Sequence, residues 1–154
     1  MIRGIGCVPM TTATRLRRPM KDGYFTVPDD PAATPNMLCS RCQACGEYYF
    51  PRRVICAKAS CLHDGLEEVT VAARGTLYSY TWITLPLFGS TRMEHMDGYG
   101  VGQVDLPEGP RVQAPLAGKQ ADYTVGMKLV GELEPLRDEG GADVVLLRFR
   151  PVEA

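Results

Sequence analysis

Four cysteines within a short stretch constrain this chain more than any other feature. Cys42 and Cys45 form a C-x2-C pair that Gly46 follows, and four residues separate Cys56 from Cys61 in a second pair. Thiolates paired at this spacing converge on one metal ion, and a glycine after the pair permits a tight turn. The intervening segment, GEYYFPRRVI, is long enough for a β-hairpin that returns one pair to the other. The cluster therefore predicts a tetrahedral four-cysteine zinc ribbon.

Other uses of these cysteines stay open at this point. Iron accepts four thiolates in the same geometry as zinc. A redox pair would place its C-x2-C at the N-terminus of a helix, which Gly46, Pro51 and the aromatic residues between the pairs disfavour. Loose or disulfide-paired cysteines are the third alternative. A closed four-thiolate site leaves no position for a substrate water, so we expect a structural role for the metal.

Two further cysteines lie outside the predicted ligand set. Cys39 and Cys42 also form a C-x2-C pair. The glycine after Cys45 favours Cys45 over Cys39 as the ligand, although an exchange of the two stays open. Cys7 stands alone, and we expect it to be a small buried apolar residue.

Size and charge restrict the functions that are compatible with the chain. Its 154 residues fit one domain, or a compact domain with a small appendage, and exclude two large domains. A formal net charge of −1 gives no overall attraction to nucleic acid or anionic membranes. No segment has the apolar run of a signal peptide or a transmembrane helix. We expect a soluble cytoplasmic protein, where clustered cysteines indicate metal or redox chemistry.

The pattern of residue types divides the chain into three parts. Residues 1–37 contain proline-bearing stretches without a strand or helix period, which predicts an extended arm that lies against the rest of the protein. Residues 38–68 hold the cysteine cluster. Residues 69–154 contain five short β-prone segments, which predict a small barrel or sandwich and a mainly β fold. These segments are GTLYSYTWITL, YGVGQVDL, RVQAPLAG, GMKLVGELEPL and DVVLLRFRP.

Four stretches in fixed order carry a more specific likeness: MLCSRCQACGEYYFPRRVICAKASC, ARGTLYSYTWI, GVGQVDLPEGPRVQAPLAG and VGMKLV. In order and spacing they resemble the acyl-CoA-associated family first described as domain of unknown function 35. The likeness covers roughly residues 24–151. It implies a rubredoxin-like zinc ribbon followed by a five-stranded OB-fold barrel.

The resemblance also implies site residues. The family's metal ligands correspond to Cys42, Cys45, Cys56 and Cys61, whereas Cys39 stands where members more often have a small residue. Further matches are Phe50, Pro51 and Arg52 in the ribbon; Gly75, Thr76, Tyr78 and Thr81 in the first barrel strand; and Leu106, Pro107, Glu108 and Gly109 in a turn.

Members of this family typically bind thiolases, hydroxymethylglutaryl-CoA synthases or related acyltransferases and aldolases, and those partners hold the catalytic cysteine and histidine. The resemblance therefore implies a non-catalytic subunit with a structural Zn²⁺, a thiolase-like partner in a hetero-oligomer, and acyl-CoA bound together with that partner. The expected reaction of the complex is thiolytic cleavage of a 3-oxoacyl-CoA in fatty, steroid or aromatic acid degradation. A subunit of an acyltransferase or retro-aldolase complex is the alternative within the family.

Five residues are candidate contacts to acyl-CoA or to the partner. Arginine pairs with phosphate through two hydrogen bonds, so Arg52, Arg53 and Arg74 are candidates for the phosphates of coenzyme A, with plain surface charge as the alternative. Trp82 has the ring to stack on adenine, although barrel core or partner interface suits it better. Phe50 completes the set.

The histidines do not predict catalysis by the chain itself. His63 follows Cys61 closely and His95 lies in the loop of residues 86–98, where we expect partner-specific contacts. Neither histidine stands in a pattern typical of a Cys–His nucleophilic pair, and we expect no catalytic residues. A single-stranded nucleic-acid-binding module is the alternative from another functional class, but the barrel segments lack a basic stripe. We therefore expect neither nucleic acid nor a membrane as a partner.

Overall fold

The computed structural model of the protein describes residues 15–84 and 98–152. Within those ranges it contains nine strands and one 3-10 helix, which confirms the mainly β fold. The elements are β1 (Arg17–Pro19), β2 (Asn36–Cys42), β3 (Tyr48–Tyr49), β4 (Leu66–Ala72), β5 (Arg74–Ile83), β6 (Tyr99–Asp105), β7 (Arg111–Leu116), the 3-10 helix (Gln120–Asp122), β8 (Lys128–Glu139) and β9 (Ala142–Pro151). No helix in these two ranges is long and apolar enough to cross a bilayer.

The strands β2, β3 and β4 form a three-stranded antiparallel sheet, which we call the ribbon sheet. β2 is central and pairs with β4 along its whole length. Side chains alternate between the two faces of a strand, so residues three apart point to opposite faces. Met37 and Cys39 lie in the hydrophobic core that the ribbon sheet shares with the rest of the protein. Cys42 therefore points away from that core.

The strands β5 to β9 form a closed barrel in the spatial order β5, β6, β7, β9, β8. β5 pairs with β6 along most of its length and with β8 at its first residues. A parallel contact between Leu116 of β7 and Phe149 of β9 completes the circle. Counted within the barrel, the order is 1-2-3-5-4, and the short helix lies between the third and fourth strands. This is the OB-fold topology, so the expected five-stranded OB-fold barrel is confirmed.

Glycines on β6 make room for large side chains inside the barrel. Gly100 lies opposite Trp82, and a Cβ atom at Gly102 would lie 2.8 Å from the Cδ2 atom of Leu116. A Cβ atom at Gly100 would lie 2.3 Å from the Cζ3 atom of Trp82, so a side chain does not fit there. The indole ring packs near Tyr123 with ring centroids 6.3 Å apart. The YGVG pattern of β6 is therefore a packing requirement of the barrel interior.

The β8–β9 hairpin extends past the strand end that the sequence predicts. The polar residues after Leu136 suggest a turn, whereas β8 continues to Glu139 and the turn lies at Gly140 and Gly141. Both glycines have positive φ angles, 63° and 84°, as a two-residue hairpin turn of type I′ requires. The position of the two glycines, rather than the polarity of the preceding residues, decides where the strand ends.

The arm contacts both sheets in the part that the structure describes. β1 pairs in parallel with β9. Arg15 and Arg18 form ion pairs with acidic residues at the tip of the β8–β9 hairpin. Further along the arm, Phe25 forms a β-bridge with Met37 of β2 and is only 7% exposed. The arm thus connects the barrel hairpin to the ribbon sheet.

A single hydrophobic core joins the arm, the ribbon sheet and the barrel. It includes Phe25 of the arm, Cys39 of β2, and Leu77 and Phe149 of the barrel. Ala73 alone separates β4 from β5, and it is fully buried. The chain therefore passes from one sheet to the other at Ala73 without a linker. The division into residues 1–37, 38–68 and 69–154 stays a prediction.

Candidate metal centre

The thiols of four cysteines converge beside the end of β2. The Sγ atoms of Cys42, Cys45, Cys56 and Cys61 all lie within 4.8 Å of one another. The Sγ–Sγ distance is 3.8 Å between Cys42 and Cys61 and 3.6 Å between Cys45 and Cys56. Four sulfurs placed about 2.3 Å from a zinc ion form a tetrahedron with edges of about 3.8 Å. The donor set therefore fits zinc, and the distances are too long for disulfides, which need about 2.05 Å.

Backbone hydrogen bonds fix both cysteine pairs in place. Cys42 ends β2, and its N–H donates to the carbonyl of Glu47 at 2.9 Å across the turn that carries Cys45. The second pair lies between β3 and β4, where the N–H of Cys56 donates to the carbonyl of His63 at 2.8 Å. That bond closes the loop that carries Cys61. The backbone thus holds the thiols close together, which lowers the entropic cost of binding a metal.

Each loop places a left-handed residue directly after its second cysteine. Gly46 follows Cys45 with a φ angle of +74°, and Leu62 follows Cys61 with a φ angle of +48°. Glycine adopts this conformation freely, whereas it costs an L-residue about 1–2 kcal/mol. The two loops therefore share one backbone conformation, but only the first has a glycine at the left-handed position.

This shared shape gives an asymmetric prediction for two substitutions. Gly46→Ala should destabilise the zinc-loaded protein by about 1–2 kcal/mol, because alanine must then adopt the left-handed conformation. Leu62→Gly should stay within about 0.5 kcal/mol of wild type or be more stable, since strain relief offsets the larger unfolded-state entropy of glycine. Urea unfolding measures both variants. A loss in Leu62→Gly as large as in Gly46→Ala would show that the leucine side chain, 64% exposed, is needed for packing.

Hydrogen bonds from the backbone reach three of the four sulfurs. In each case the donor is the N–H of the residue two positions after the cysteine: Glu47 for Cys45, Lys58 for Cys56 and His63 for Cys61. A donor aimed at sulfur stabilises the thiolate form, which is the form that binds metal. Such outer hydrogen bonds orient ligands and strengthen their hold on the ion.

Tyr49 adds a side-chain hydrogen bond to this set. Its hydroxyl lies 3.1 Å from the Sγ atom of Cys56 and accepts the N–H of Ala57 at 3.2 Å. The hydrogen bond from Tyr49 lowers the pKa of Cys56 to about 6, so that this thiol is largely ionised at neutral pH. The cysteine spacing does not reveal this residue. The two tyrosines between the cysteine pairs, Tyr48 and Tyr49, are the sequence signal that could have pointed to it.

Removal of this hydroxyl should weaken the metal site without unfolding the protein. We expect Tyr49→Phe to lower zinc affinity about 10–100-fold, the usual effect of losing an outer hydrogen bond to a ligand. Competition with a chromophoric chelator measures the affinity. Tyr48→Phe is the matched control and should stay within about twofold of wild type, because Tyr48 instead carries the guanidinium of Arg41 over its ring at 5.8 Å. Equal affinities for wild type and Tyr49→Phe would contradict the assigned role.

The side chains of Cys39 and His63 do not belong to the cluster. Cys39 is fully buried in the shared core, and burial, followed by the nearby Glu108 carboxylate, raises the pKa of its thiol to about 11. The Nδ1 atom of His63 accepts the N–H of Gly65 at 2.8 Å, and no metal-ligand group among the described residues includes this histidine. Cys7, His95 and almost all of the loop predicted for partner contacts lie outside the described residues.

The candidate contacts on the ribbon are engaged with neighbouring side chains. Phe50 packs edge-to-face on Tyr24 of the arm, with ring centroids 5.3 Å apart. Arg52 forms an ion pair with Glu68 of β4. The guanidinium of Arg53 lies 5.7 Å from the centre of the Tyr49 ring.

The remaining two candidates lie elsewhere. Arg74 donates a hydrogen bond to the Thr34 hydroxyl at 3.0 Å, at the junction of the ribbon sheet and the barrel. Trp82 packs against the core of the barrel. The structure therefore does not gather the five candidates into one pocket, and their role in binding stays a prediction.

Comparison with known proteins places this architecture in a family. A model of the C-terminal OB-fold domain of ChsH2 matches residues 68–132. A DUF35 domain-containing scaffold protein of Methanothermobacter thermautotrophicus is 30% identical over 117 residues, which cover 75% of this chain and 84% of the relative. The chain belongs to the DUF35 family. This confirms the resemblance found in the sequence.

Other relatives match over a similar share of the chain. A DUF35 domain-containing scaffold protein of Methanocaldococcus jannaschii is 27% identical over 116 residues, 73% of this chain and 79% of the relative. The benzoylsuccinyl-CoA thiolase subunit BbsA of Thauera aromatica is 30% identical over 115 residues, 73% of this chain and 74% of BbsA. Among solved structures, a chain of the Ltp2-ChsH2(DUF35) aldolase matches with a TM-score of 0.57 and 28% identity, covering 75% of this chain and 84% of that one.

Proposed function

We propose that this DUF35 protein is a non-catalytic scaffold subunit of a heteromeric thiolase complex that cleaves a 3-oxoacyl-CoA. The observation that carries the proposal is the 30% identity to the thiolase subunit BbsA over 73% of the chain. The structural match to a chain of the Ltp2-ChsH2(DUF35) aldolase covers a similar share of the chain. The two named complexes differ in chemistry, which is expected if the DUF35 subunit supports assembly and the partner performs the reaction.

The metal in this proposal is a structural zinc ion held by Cys42, Cys45, Cys56 and Cys61. Four thiolates fill a tetrahedral site, so the ion has no free position for water or substrate. When bound, zinc supplies a crosslink between the loops that flank β3 and so stabilises the ribbon. The surrounding N–H donors and Tyr49 orient the sulfurs, and the hydrogen bond from Tyr49 favours the ionised form of Cys56.

The described part of the chain offers no free thiol paired with an activating base. Four of its thiols form the cluster, and the fifth, Cys39, is buried with a raised pKa of about 11. A thiol with such a pKa is a poor nucleophile at neutral pH because so little thiolate forms. His63 accepts a backbone N–H at its Nδ1 atom and is not adjacent to a free thiol. Thiolysis is therefore assigned to the partner.

Acyl-CoA binding together with the partner is the finer part of the proposal. Of the candidate arginines, Arg52 is paired with Glu68 and Arg74 is hydrogen-bonded to Thr34. Arg53 is exposed, and Tyr49 orients its guanidinium group. Arginine in such a position is suited to a phosphate of coenzyme A. Arg53 is thus the best supported of the proposed phosphate contacts.

A retro-aldolase complex is the second candidate, because the structural match is named an aldolase. The two reactions differ in their need for free coenzyme A. Thiolysis of a 3-oxoacyl-CoA consumes coenzyme A and yields two thioesters, whereas retro-aldol cleavage of a 3-hydroxyacyl-CoA yields a thioester and a carbonyl compound without it. Affinity purification of the tagged chain from its native cells, followed by mass spectrometry, identifies the partner. Activity of the purified complex with and without coenzyme A then separates the two candidates.

The material recovered in this affinity purification also tests the proposal as a whole. We expect a thiolase-type protein in fixed ratio to the chain, about one zinc per chain, and cleavage that depends on coenzyme A. Recovery of the chain with single-stranded nucleic acid, or with no enzyme, would overturn the proposed function.

A further inference from the structure

The outer face of β5, β6 and β7 carries apolar side chains at several outward positions. Strand pairing places its outward residues in rows, and the row at the centre joins Thr81, Val101 and Pro115. The next row joins Ile83 and Tyr99. Outward positions of an antiparallel sheet that faces water are normally polar. Apolar side chains occupy these two adjacent outward rows, whereas the next row toward the start of β5 is polar and consists of Ser79, Gln103 and Gln113. An apolar patch bordered by polar residues is typical of a surface that binds another protein.

At the opposite end of this face, the ring of Tyr78 packs against an arginine that is itself ion-paired. Tyr78 is the extra residue at a β-bulge, where pairing shifts between Leu77 and Ser79, and it is 51% exposed. The guanidinium of Arg111 lies 3.3 Å from the centre of the Tyr78 ring. Two hydrogen bonds of 2.6 and 3.0 Å tie Arg111 to Asp105. Bulges commonly redirect a side chain, and here the bulge presents a preorganised tyrosine.

We infer that this outer face, centred on Val101 and bounded by Tyr78 and Tyr99, is the docking surface for the catalytic subunit. The inference rests on the proposed function and adds to it the surface that binds the partner. Tyrosine and arginine dominate the binding energy of protein interfaces, and the ring clamped by Arg111 loses little entropy on binding. The whole face lies within residues 68–132, the segment that matches the ChsH2 domain.

Charge and size both favour a protein partner. Arg111 is already neutralised by Asp105, and the central row carries no cation, whereas a nucleic-acid face needs a basic groove with stacking aromatics. Three strands about 4.8 Å apart and a length of six residues give a face of about 10 by 20 Å. A standard interface buries about 800 Å² on each partner. The face therefore fits the centre of such an interface, and neighbouring elements would supply its rim.

The test measures binding of the catalytic subunit recovered in the purification above to zinc-loaded variants of the full chain. Val101→Lys places a charge at the centre of the face, and Tyr78→Ala removes the clamped ring. The matched controls are Leu136→Lys and Leu136→Ala. Leu136 is likewise the extra residue at a bulge, in β8, and it is 49% exposed. Zinc content and circular dichroism verify that each variant is folded.

We expect both face variants to weaken binding about 30-fold or more, as loss of an interface hot spot does, while both Leu136 variants stay within about twofold of wild type. If wild type binds the catalytic subunit and the folded face variants bind equally well, the inference is wrong while the proposed function stands. If the wild-type chain binds no catalytic subunit, both are wrong. Loss of self-association in the face variants with unchanged enzyme binding would assign the face to a second copy of the chain.

Discussion

Cys42→Ser should abolish stoichiometric zinc binding and unfold the ribbon sheet. Cys42 is fully buried and supplies one of four thiolates within 4.8 Å of one another. Binding of a structural zinc contributes about 10–16 kcal/mol in small zinc-binding peptides and is coupled to folding, so loss of one ligand removes most of it. Metal analysis of the purified variant should fall from about one zinc per chain to nearly none. Far-ultraviolet circular dichroism and proteolysis report the accompanying loss of the ribbon.

The neighbouring cysteine of the same strand provides the matched control. Cys39 lies three residues before Cys42 on β2 and points to the opposite face, into the shared core. Cys39→Ala should keep about one zinc per chain and lose about 1 kcal/mol of stability through the smaller buried side chain. Zinc retained at full stoichiometry in Cys42→Ser would contradict this assignment and would point to Cys39 as a replacement ligand.

Phe25→Ala should destabilise the zinc-loaded protein by about 3–5 kcal/mol, the usual cost of removing a buried phenylalanine side chain. Phe25 is 7% exposed and belongs to the core that joins the arm, the ribbon sheet and the barrel. For a chain of this size, a loss of that order lowers the melting temperature by about 10 °C. Differential scanning calorimetry of the zinc-loaded variants measures the shift.

Leu16→Ala is the control that tests whether the loss of stability is specific to the buried Phe25 side chain or follows from any truncation in the arm. Leu16 lies on the same arm and is 71% exposed, so its truncation should change stability by less than about 0.5 kcal/mol. A melting temperature for Phe25→Ala within 2 °C of wild type would show that the arm does not stabilise the folded protein.

Much of the barrel is predictable from local pattern because its strands alternate and end at turn residues. The segments around Trp82, Val101, Val112, Leu129 and Phe149 all fall in strands. The circular order is not predictable in this way, since the contact between Leu116 and Phe149 depends on closure over a long stretch of chain. Family resemblance, rather than pattern, supplied the OB-fold. The parallel pairing of β1 with β9 has no local signal, because three residues are too few to show a period.

In the candidate site, too, local sequence pattern predicts some residues and only the folded structure reveals others. Spacing alone brings Cys42, Cys45, Cys56 and Cys61 into consideration, and it leaves Cys39 as a rival of Cys45. The alternation of faces along β2 distinguishes Cys39 from Cys42, but it depends on knowing where the strand lies. Residue type suggested phosphate contacts at the arginines. It could not reveal that Glu68 and Thr34 lie beside Arg52 and Arg74, because those contacts form only in the folded chain.

Reconstitution of 3-oxoacyl-CoA thiolysis tests the scaffold role most directly. The assay compares the zinc-loaded chain alone, the purified catalytic subunit alone, and the two combined at equal concentration, each with substrate and coenzyme A. We predict no turnover by the chain alone, a stable complex of the two proteins by size-exclusion chromatography, and turnover by the complex. Turnover by the isolated chain, or a catalytic subunit that is equally active without it and does not bind it, would contradict the proposed function.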